Sequence, residues 1–370
     1  MKTKITTIVG TRPEIIRLSE IIKHFDKVFS HRFIHTGQNQ DPNLSTIFFK
    51  DLDLREPDLF LGNKAPSLGK FIGNLFEKIE EEFINHRPDA IVILGDTNSA
   101  LSAILAKRMA IPVYHLEAGN RSFDKNVPEE INRKIVDHTS DFNLVYTEHA
   151  RTNLLTEGLH PRTIALTGSP LREVINRNIQ KIENSNILER LNLESQKYIL
   201  VSAHRQENID FADRFEDLLK TLKDVASQMK LPVLVSTHPR TKKILDQKNM
   251  GQLDSIIFHD PFNFSDYNKL QKEALVVLSD SGTISEESSM LNFKAITIRN
   301  SMERPEALEA GSIVMAGIKS DHVLEMIKIV IDNPRSSSVP EAYKVEDCSI
   351  RTANFILSTV NEYKFWNSLY

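Results

Sequence analysis

Short apolar runs, many rich in β-branched residues, alternate with longer amphipathic segments along almost the whole chain. In the first half the apolar runs fall at 5–9, 32–36, 90–94, 113–116, 144–146 and 163–166; in the second they fall at 198–202, 233–236, 256–258, 275–278, 295–298 and 312–315. Runs this short and this apolar predict parallel strands buried on both faces. Between them, segments 15–25, 68–85 and 98–110 repeat their apolar positions every three and four residues, which predicts helices. The pattern is that of an α/β protein made of two βα series in tandem.

The two series are separated by a polar stretch at 168–195, which opens with Gly168-Ser169-Pro170 and carries Arg177, Asn178, Asn184 and Asn186. Such a stretch predicts the crossing between domains, with residues 1–175 forming the first and 185–345 the second. A last amphipathic segment, 350–365 within the closing 350–370, follows a Ser-rich and Pro-rich run and is expected to pack back on the first domain. A length of 370 residues agrees with two domains of ordinary size.

Composition narrows the partners. Apolar residues make up 40% and charged residues 26%, the balance of a packed globular chain. The net charge of -4 is spread along the sequence, so no basic field exists to hold nucleic acid. No stretch approaches the roughly 18 uncharged apolar residues of a membrane-spanning helix. Met1-Lys2-Thr3-Lys4 leads into a strand and lacks the marks of a signal peptide, and a lone cysteine, Cys348, has no internal disulfide partner. The expected location is the cytoplasm. The histidines lack ligand-like pairs at helical spacing, so no metal is expected. No Gly-x-Gly-x-x-Gly or Walker pattern is present, so neither nicotinamide nor ATP is expected as a cofactor.

In open α/β sheets ligands sit beyond the carboxyl ends of the strands, which directs attention to the residues following each run. After the first comes Gly10-Thr11-Arg12-Pro13-Glu14, a tight turn into a helix whose N-terminus suits phosphate, with the guanidinium of Arg12 beside it and Arg17 about a turn further on. A plain N-cap turn with solvated arginines is the competing reading. After the third and fourth runs stand Asp96, in Gly95-Asp96-Thr97, and Glu117, in His115-Leu116-Glu117-Ala118-Gly119. Carboxylates at neighbouring strand ends can divide acid and base roles when their environments part their pKa values. On pattern alone Asp96 reads as a helix N-cap. Glu117 has no such role, and Gly119 beside it permits close backbone approach to a ligand. Pro128-Glu129-Glu130, leading to Asn132-Arg133, reads on pattern alone as a helix start with acidic dipole partners.

In the second half, the first run ends in His204-Arg205, a pair able to face a pyrophosphate, with a structural histidine as the alternative. A very apolar run then precedes Asp280-Ser281-Gly282-Thr283, a small-residue phosphate turn followed by Glu286 and Glu287, either able to take ribose hydroxyls. Glu303-Arg304-Pro305-Glu306 closes the series, with an unusual density of charge for a loop without a task.

Together these motifs resemble the non-hydrolysing UDP-N-acetylglucosamine 2-epimerase family, in order and across residues 10–306. The resemblance implies a GT-B fold of two Rossmann-like domains around an interdomain cleft, a UDP-sugar substrate, no added cofactor and a homodimer. Family chemistry implies removal of the C2 proton as UDP leaves C1, giving a 2-acetamidoglycal, followed by re-addition. It makes Asp96, Glu117 and Glu129 the proton-transfer carboxylates, with Arg133 supporting them and His204 near the pyrophosphate as acid or stabiliser. It makes Arg12, Arg17, Arg205, Ser281, Gly282 and Glu287 the UDP-holding residues, Glu287 at the ribose.

Three variants refine the resemblance. Arg17 stands where the common form has lysine, Gln38-Asn39-Gln40-Asp41 where it has Gln-His-Arg-Glu, and Gly-Asp-Thr continues as Asn98-Ser99. With Gly119-Asn120-Arg121 and the stretch 146–151, these are similar to the UDP-N-acetyl-L-fucosamine synthase branch, which inverts C2 of UDP-2-acetamido-2,6-dideoxy-β-L-talose for capsule or O-antigen precursors. The alternatives are interconversion of UDP-GlcNAc and UDP-ManNAc, and a GT-B glycosyltransferase. The changed Gln-Asn-Gln-Asp stretch further implies that activation by a second UDP-sugar is absent.

Overall fold

In a computed structural model of the chain, residues 2–38, 42–124, 127–203, 212–237, 241–242, 244–245, 255–333 and 339–366 are described below. They form two compact units, Met1–Arg177 with Glu341–Tyr370, and Asn178–Pro340.

The first unit contains β1 (Lys4–Val9), α1 (Arg12–Val28), β2 (Ser30–His35), α2 (Pro42–Asp51), β3 (Leu59–Phe60), α3 (Leu68–Asn85), β4 (Ala90–Leu94), α4 (Ser102–Arg108), β5 (Val113–Leu116), α5 (Pro128–Thr139), β6 (Phe142–Val145), α6 (Glu148–Thr156) and β7 (Ile164–Leu166). Its strands form one parallel sheet in the order β3-β2-β1-β4-β5-β6-β7. The core packs Ile8, Ile34, Ile91, Ile93 and Val113 of the sheet against Leu75, Ile79 and Phe83 of α3. The registers Thr7↔Val92 and Leu94↔Leu116 bring the carboxyl ends of β1, β4 and β5 side by side.

Helix α7 (Leu171–Glu183) runs through the stretch read from sequence as a polar crossing, and the division between the units falls inside it. Leu171, Val174, Ile175 and Ile182 are all buried, so an apolar stripe at helical spacing outweighs the asparagines between.

The second unit continues with α8 (Ile187–Arg190), β8 (Ile199–Ser202), α9 (Ala212–Met229), β9 (Val233–Ser236), β10 (Ile256–His259), α10 (Phe264–Glu273), β11 (Val276–Ser279), α11 (Ile284–Leu291), β12 (Ala295–Thr297), α12 (Glu306–Glu309), β13 (Val314–Met315) and α13 (Ser320–Asp332). Its parallel sheet has the order β10-β9-β8-β11-β12-β13. Val201, Val235, Leu278 and Ile296 pack there against Leu222 and Val225 of α9 and Val323 and Ile327 of α13.

The chain then returns to the first unit. The closing amphipathic segment is two helices, α14 (Cys348–Thr359) and α15 (Tyr363–Trp366), and α14 packs along α1. Tyr114 of β5 and Thr359 join hydroxyls at 2.7 Å, and Phe355 sets its ring edge-on to Phe142. Among the described residues, no helix is long and apolar enough to cross a membrane.

Candidate active site

In both sheets the order of strand addition switches sides at the first strand, between β1 and β4 and between β8 and β11. Ligands of open α/β sheets bind at such switch points, beyond the strand ends. At the end of β4, Gly95 takes a φ of +72° and turns the chain so that Asp96 leaves the strand line. The N-cap of the following 3-10 turn (Asn98–Leu101) is Thr97, which corrects the reading of Asp96 as a cap. The Asp96 carboxylate instead pairs with Arg133.

Glu117, at the end of β5, holds a φ of +63°. A left-handed backbone costs a non-glycine residue about 1–2 kcal/mol, and such strain concentrates at functional sites. Its carboxylate is buried between two guanidinium groups, with Oε1 3.2 Å from Arg133 Nη2 and Oε2 3.5 Å from Arg17 Nε. Arg133 Nη1 donates to the Glu117 carbonyl at 2.6 Å. The chain thus links Asp96, Arg133, Glu117 and Arg17 in one run of alternating charge. Both arginines are 2% exposed, so each carboxylate supplies the counter-charge that a buried guanidinium requires. Asn132, next to Arg133 on α5, donates to the Asp96 carbonyl at 3.0 Å and to Asn98 Oδ1 at 3.1 Å. Glu129 lies exposed at the first turn of the same helix, while Glu130 turns inward to accept from the Ser122 amide at 2.9 Å.

Behind these turns lies a charge network that sequence reading did not single out. His115 Nε2 stands 2.7 Å from the Gly95 carbonyl oxygen, and its Nδ1 2.9 Å from Asp137 Oδ1. Asp137 also accepts from the Gly119 amide at 3.2 Å and from Arg121 Nη1 at 2.7 Å. Burial alone would raise the Asp137 carboxyl, but His115 and Arg121 together hold it below its ordinary value. Gly119 is glycine for a reason other than the one expected. With φ at +78°, a Cβ there would lie 2.3 Å from the Ala150 carbonyl oxygen, so the close approach is to α6 of the same unit.

The turn after β1 departs further from expectation. Glu14 folds its side chain back over the start of α1, and its Oε2 accepts from the Gly10 amide at 2.8 Å, the Thr11 amide at 2.7 Å and Thr11 Oγ1 at 2.9 Å. The two amides leading into α1 are thereby engaged by the protein's own carboxylate. The arginines of this turn are not solvated either. Arg12 is half-buried over the Phe48 ring, 5.5 Å from its centroid, and Arg17 lies in the carboxylate cluster over Tyr146. Gly10 is fixed by contact, since a Cβ would meet Ser99 Oγ at 2.0 Å. Gln38 accepts from the Ser99 amide and hydroxyl, both at 3.0 Å. Asn39, Gln40 and Asp41, with which it was grouped, lie outside the described residues, as do His204 and Arg205.

In the second unit, the Ser281 amide donates to Ser279 Oγ at 3.0 Å and its hydroxyl meets Thr283 Oγ1 at 2.9 Å, folding the small-residue turn before α11. Glu287 accepts from Gln271 Nε2 at 2.7 Å. Arg304, from the charged loop after β12, donates to the Gly282 carbonyl at 2.5 Å and lies 3.4 Å from the buried Glu286. Ser281, Gly282, Arg299 and Arg304 line a small cavity beside this turn. Among the described residues, no three histidine, cysteine or acidic side chains gather in a way that would hold a metal ion.

Residues 23–357 match the family described as UDP-N-acetylglucosamine 2-epimerase. A solved UDP-N-acetylglucosamine 2-epimerase from Rickettsia bellii superposes with a TM-score of 0.91 at 42% identity, over 98% of each chain. The Methanocaldococcus jannaschii enzyme, solved in complex with UDP-GlcNAc and UDP, has a TM-score of 0.91 at 32% identity, covering 96% of this chain and all of the other. A UDP-2,3-diacetamido-2,3-dideoxy-D-glucuronate 2-epimerase from Pseudomonas aeruginosa is 31% identical over 87% of this chain and 90% of its own length. The two parallel-sheet α/β units are of the GT-B-like kind that these proteins share.

Proposed function

The chain belongs to the UDP-N-acetylglucosamine 2-epimerase family, isomerases acting on UDP-sugars, and from that premise we propose that it inverts C2 of UDP-2-acetamido-2,6-dideoxy-β-L-talose to give UDP-N-acetyl-L-fucosamine. In this reading one carboxylate removes the C2 proton while the C1–O bond to UDP breaks, leaving a 2-acetamidoglycal. UDP then adds back at C1, and a proton reaches C2 from the opposite face. The C2 hydrogen is a poor acid, so a positioned base and a held leaving group have to act together. Asp96, Glu117 and Glu129 are the proposed proton-transfer groups, Arg133 the shared counter-charge for the first two. His204 is the proposed acid or charge stabiliser at the pyrophosphate, and Arg12, Arg17, Arg205, Ser281, Gly282 and Glu287 are the proposed UDP-holding set.

The observation that carries the reading is the pairing of Arg17 with Glu117, 3.5 Å apart. Arg17 stands where the family's common form has lysine, so the variant cation lies against a proposed proton-transfer group and not at a remote surface. An arginine fork fixes a carboxylate differently from a point-charge ammonium. A second reading, interconversion of UDP-GlcNAc and UDP-ManNAc, is favoured by the names of the relatives at 42% and 32% identity. In either reading the proposed acting species is a homodimer, for which sedimentation gives the mass.

Proton NMR in D2O decides between them. The protein is incubated with UDP-GlcNAc in one tube and the 6-deoxy-L-talose nucleotide in the other, and deuterium entry at C2 is followed. Exchange confined to the 6-deoxy sugar is the expected result. Exchange with UDP-GlcNAc supports the second reading, and exchange with neither sinks both.

A further inference from the structure

Glu14 begins as an ordinary N-terminal device. A Thr at the N-cap with Glu three residues on is a capping box, which glutamine serves as well as glutamate. Two features exceed that role. The carboxylate is 2% exposed, where a capping glutamate is normally wet. Its second oxygen also has a partner far along the chain: Oε1 accepts from Thr97 Oγ1 at 2.8 Å. One carboxylate therefore gathers four donors, three from the turn after β1 and one from the turn after β4.

Thr97 directly follows Asp96, and the turn containing both is gripped from two sides. Asn132 holds the Asp96 carbonyl and Arg133 its carboxylate, both from α5. Glu14 holds Thr97 from α1. Side-chain caps of a 3-10 turn do not require a buried acid, and burial here pushes the Glu14 carboxyl up to about 7, a cost that a glutamine would avoid. The same side chain also takes the two backbone amides that lead into this helix.

We propose that Glu14 is a positioning residue for the epimerisation, whose carboxylate ties the turn leading into α1 to Thr97 and thereby fixes the aim of Asp96. The inference rests on the proton-transfer role proposed for Asp96. It requires no contact of Glu14 with substrate. Its signature is a loss confined to the chemical step, because a displacement of a reacting group by about 1 Å can cost 100-fold in rate while binding is untouched.

Four variants test it: Glu14→Gln, Thr97→Val, Thr97→Ser and the Glu14→Gln/Thr97→Val double. Each is measured for kcat and KM with the nucleotide sugar that the wild type turns over, for UDP affinity by calorimetry, and for amide hydrogen exchange at residues 95–99. The expected result is a kcat lower by tenfold or more in Glu14→Gln and Thr97→Val, with KM and UDP affinity within twofold of wild type. The double should be no slower than the slower single, since both changes act through the one Glu14–Thr97 contact. Thr97→Ser keeps the hydroxyl and should return most of the rate, and exchange at 95–99 should quicken in the two slow variants only. Wild-type kcat in Thr97→Val, multiplying losses in the double, or a Thr97→Ser as slow as Thr97→Val would overturn the proposal. If Glu14→Gln does not fold, the two Thr97 variants still decide. If the wild type turns over neither sugar, the epimerase reading falls on that result alone, and unchanged exchange at 95–99 in Thr97→Val then overturns the positioning separately.

Discussion

Two carboxylates of the first unit are held in ways that a solvent-exposed acid never is, and they differ in how. Asp96 and Glu117 share Arg133, so removing either charge leaves a buried guanidinium less balanced while keeping its shape nearly intact. Asp96→Asn and Glu117→Gln are therefore expected to cut turnover by roughly 100-fold or more, as loss of proton transfer does. Glu129→Gln should do the same if the exposed first turn of α5 supplies the third proton-transfer group. UDP affinity by calorimetry should stay near wild type in all three, and near-wild-type turnover in all three would refute the assignment.

Glu14 carries a pH signature of its own. Its folded carboxyl is pushed up to about 7 from an ordinary value of 4.5, so the folded state binds this proton more tightly than the unfolded state. The stability so contributed is complete below the unfolded value and is lost as pH rises through the folded one. Glu14→Gln never ionises. The difference in melting temperature, Glu14→Gln minus wild type, should thus grow in the variant's favour between pH 5 and pH 8; a difference flat across that range would show that Glu14 does not titrate there. At this scale the sequence made Asp96 and Glu117 legible, because strand ends are readable and ligands gather there. Glu14, His115 and Asp137 were not selected, since the contacts that set them apart reach across 83, 20 and 22 positions, and the local spacing of Thr11 and Glu14 announces only a cap.

Elements show the converse balance. Parallel strands buried on both faces write themselves as apolar runs, and twelve of the thirteen strands among the described residues were readable within a residue or two. The exception, β3, is two residues long and pairs only with β2, too short to produce a pattern. Helix α7 was hidden by its polar outer face, and the closing segment reads as one helix although the chain breaks between α14 and α15. Helix α5 is the element on which most of the candidate site depends. Its outer turns look like any amphipathic helix, but Asn132, Arg133 and Asp137 line its inner side and reach the Asp96, Glu117 and Gly119 turns respectively. Asp137 compensates the buried Arg121 and faces His115. Glu157 still pairs with Arg121 at 2.7 Å, so Asp137→Asn, which keeps the volume and removes the charge, leaves the guanidinium half-compensated, at the lower end of the roughly 3–5 kcal/mol that breaking a buried pair costs. For a unit of this size that corresponds to a fall of roughly 10 °C in melting temperature by calorimetry. A fall of under two degrees would mean that the network is not charge-critical.

At the scale of the whole chain, the first unit is discontinuous: it begins at Met1, is left inside α7, and is completed only by residues 341–370. The returning segment is not an appendage. Glu173 of α7 accepts from the Ser349 amide at 2.9 Å and its hydroxyl at 2.6 Å, and a Cβ at Gly168 would lie 2.5 Å from Val345, so the segment is pressed onto the unit it rejoins. Cys348 stands at the centre of that contact, fully buried, with its thiol donating to the Gly168 carbonyl at 3.3 Å. Burial pushes the thiol up to about 12, so almost no thiolate exists at neutral pH and none of it meets solvent. A disulfide reagent at pH 8 should therefore leave Cys348 unmodified in the native protein and label it along a urea gradient in step with unfolding of the first unit, followed by the ring environments of Tyr114 and Phe142. Labelling at urea concentrations well below that transition would show α14 detaching as a separate, weaker element. If the two coincide, the chain must have been synthesised through α14 before the first unit can close, and truncation after residue 340 should yield a first unit that does not fold.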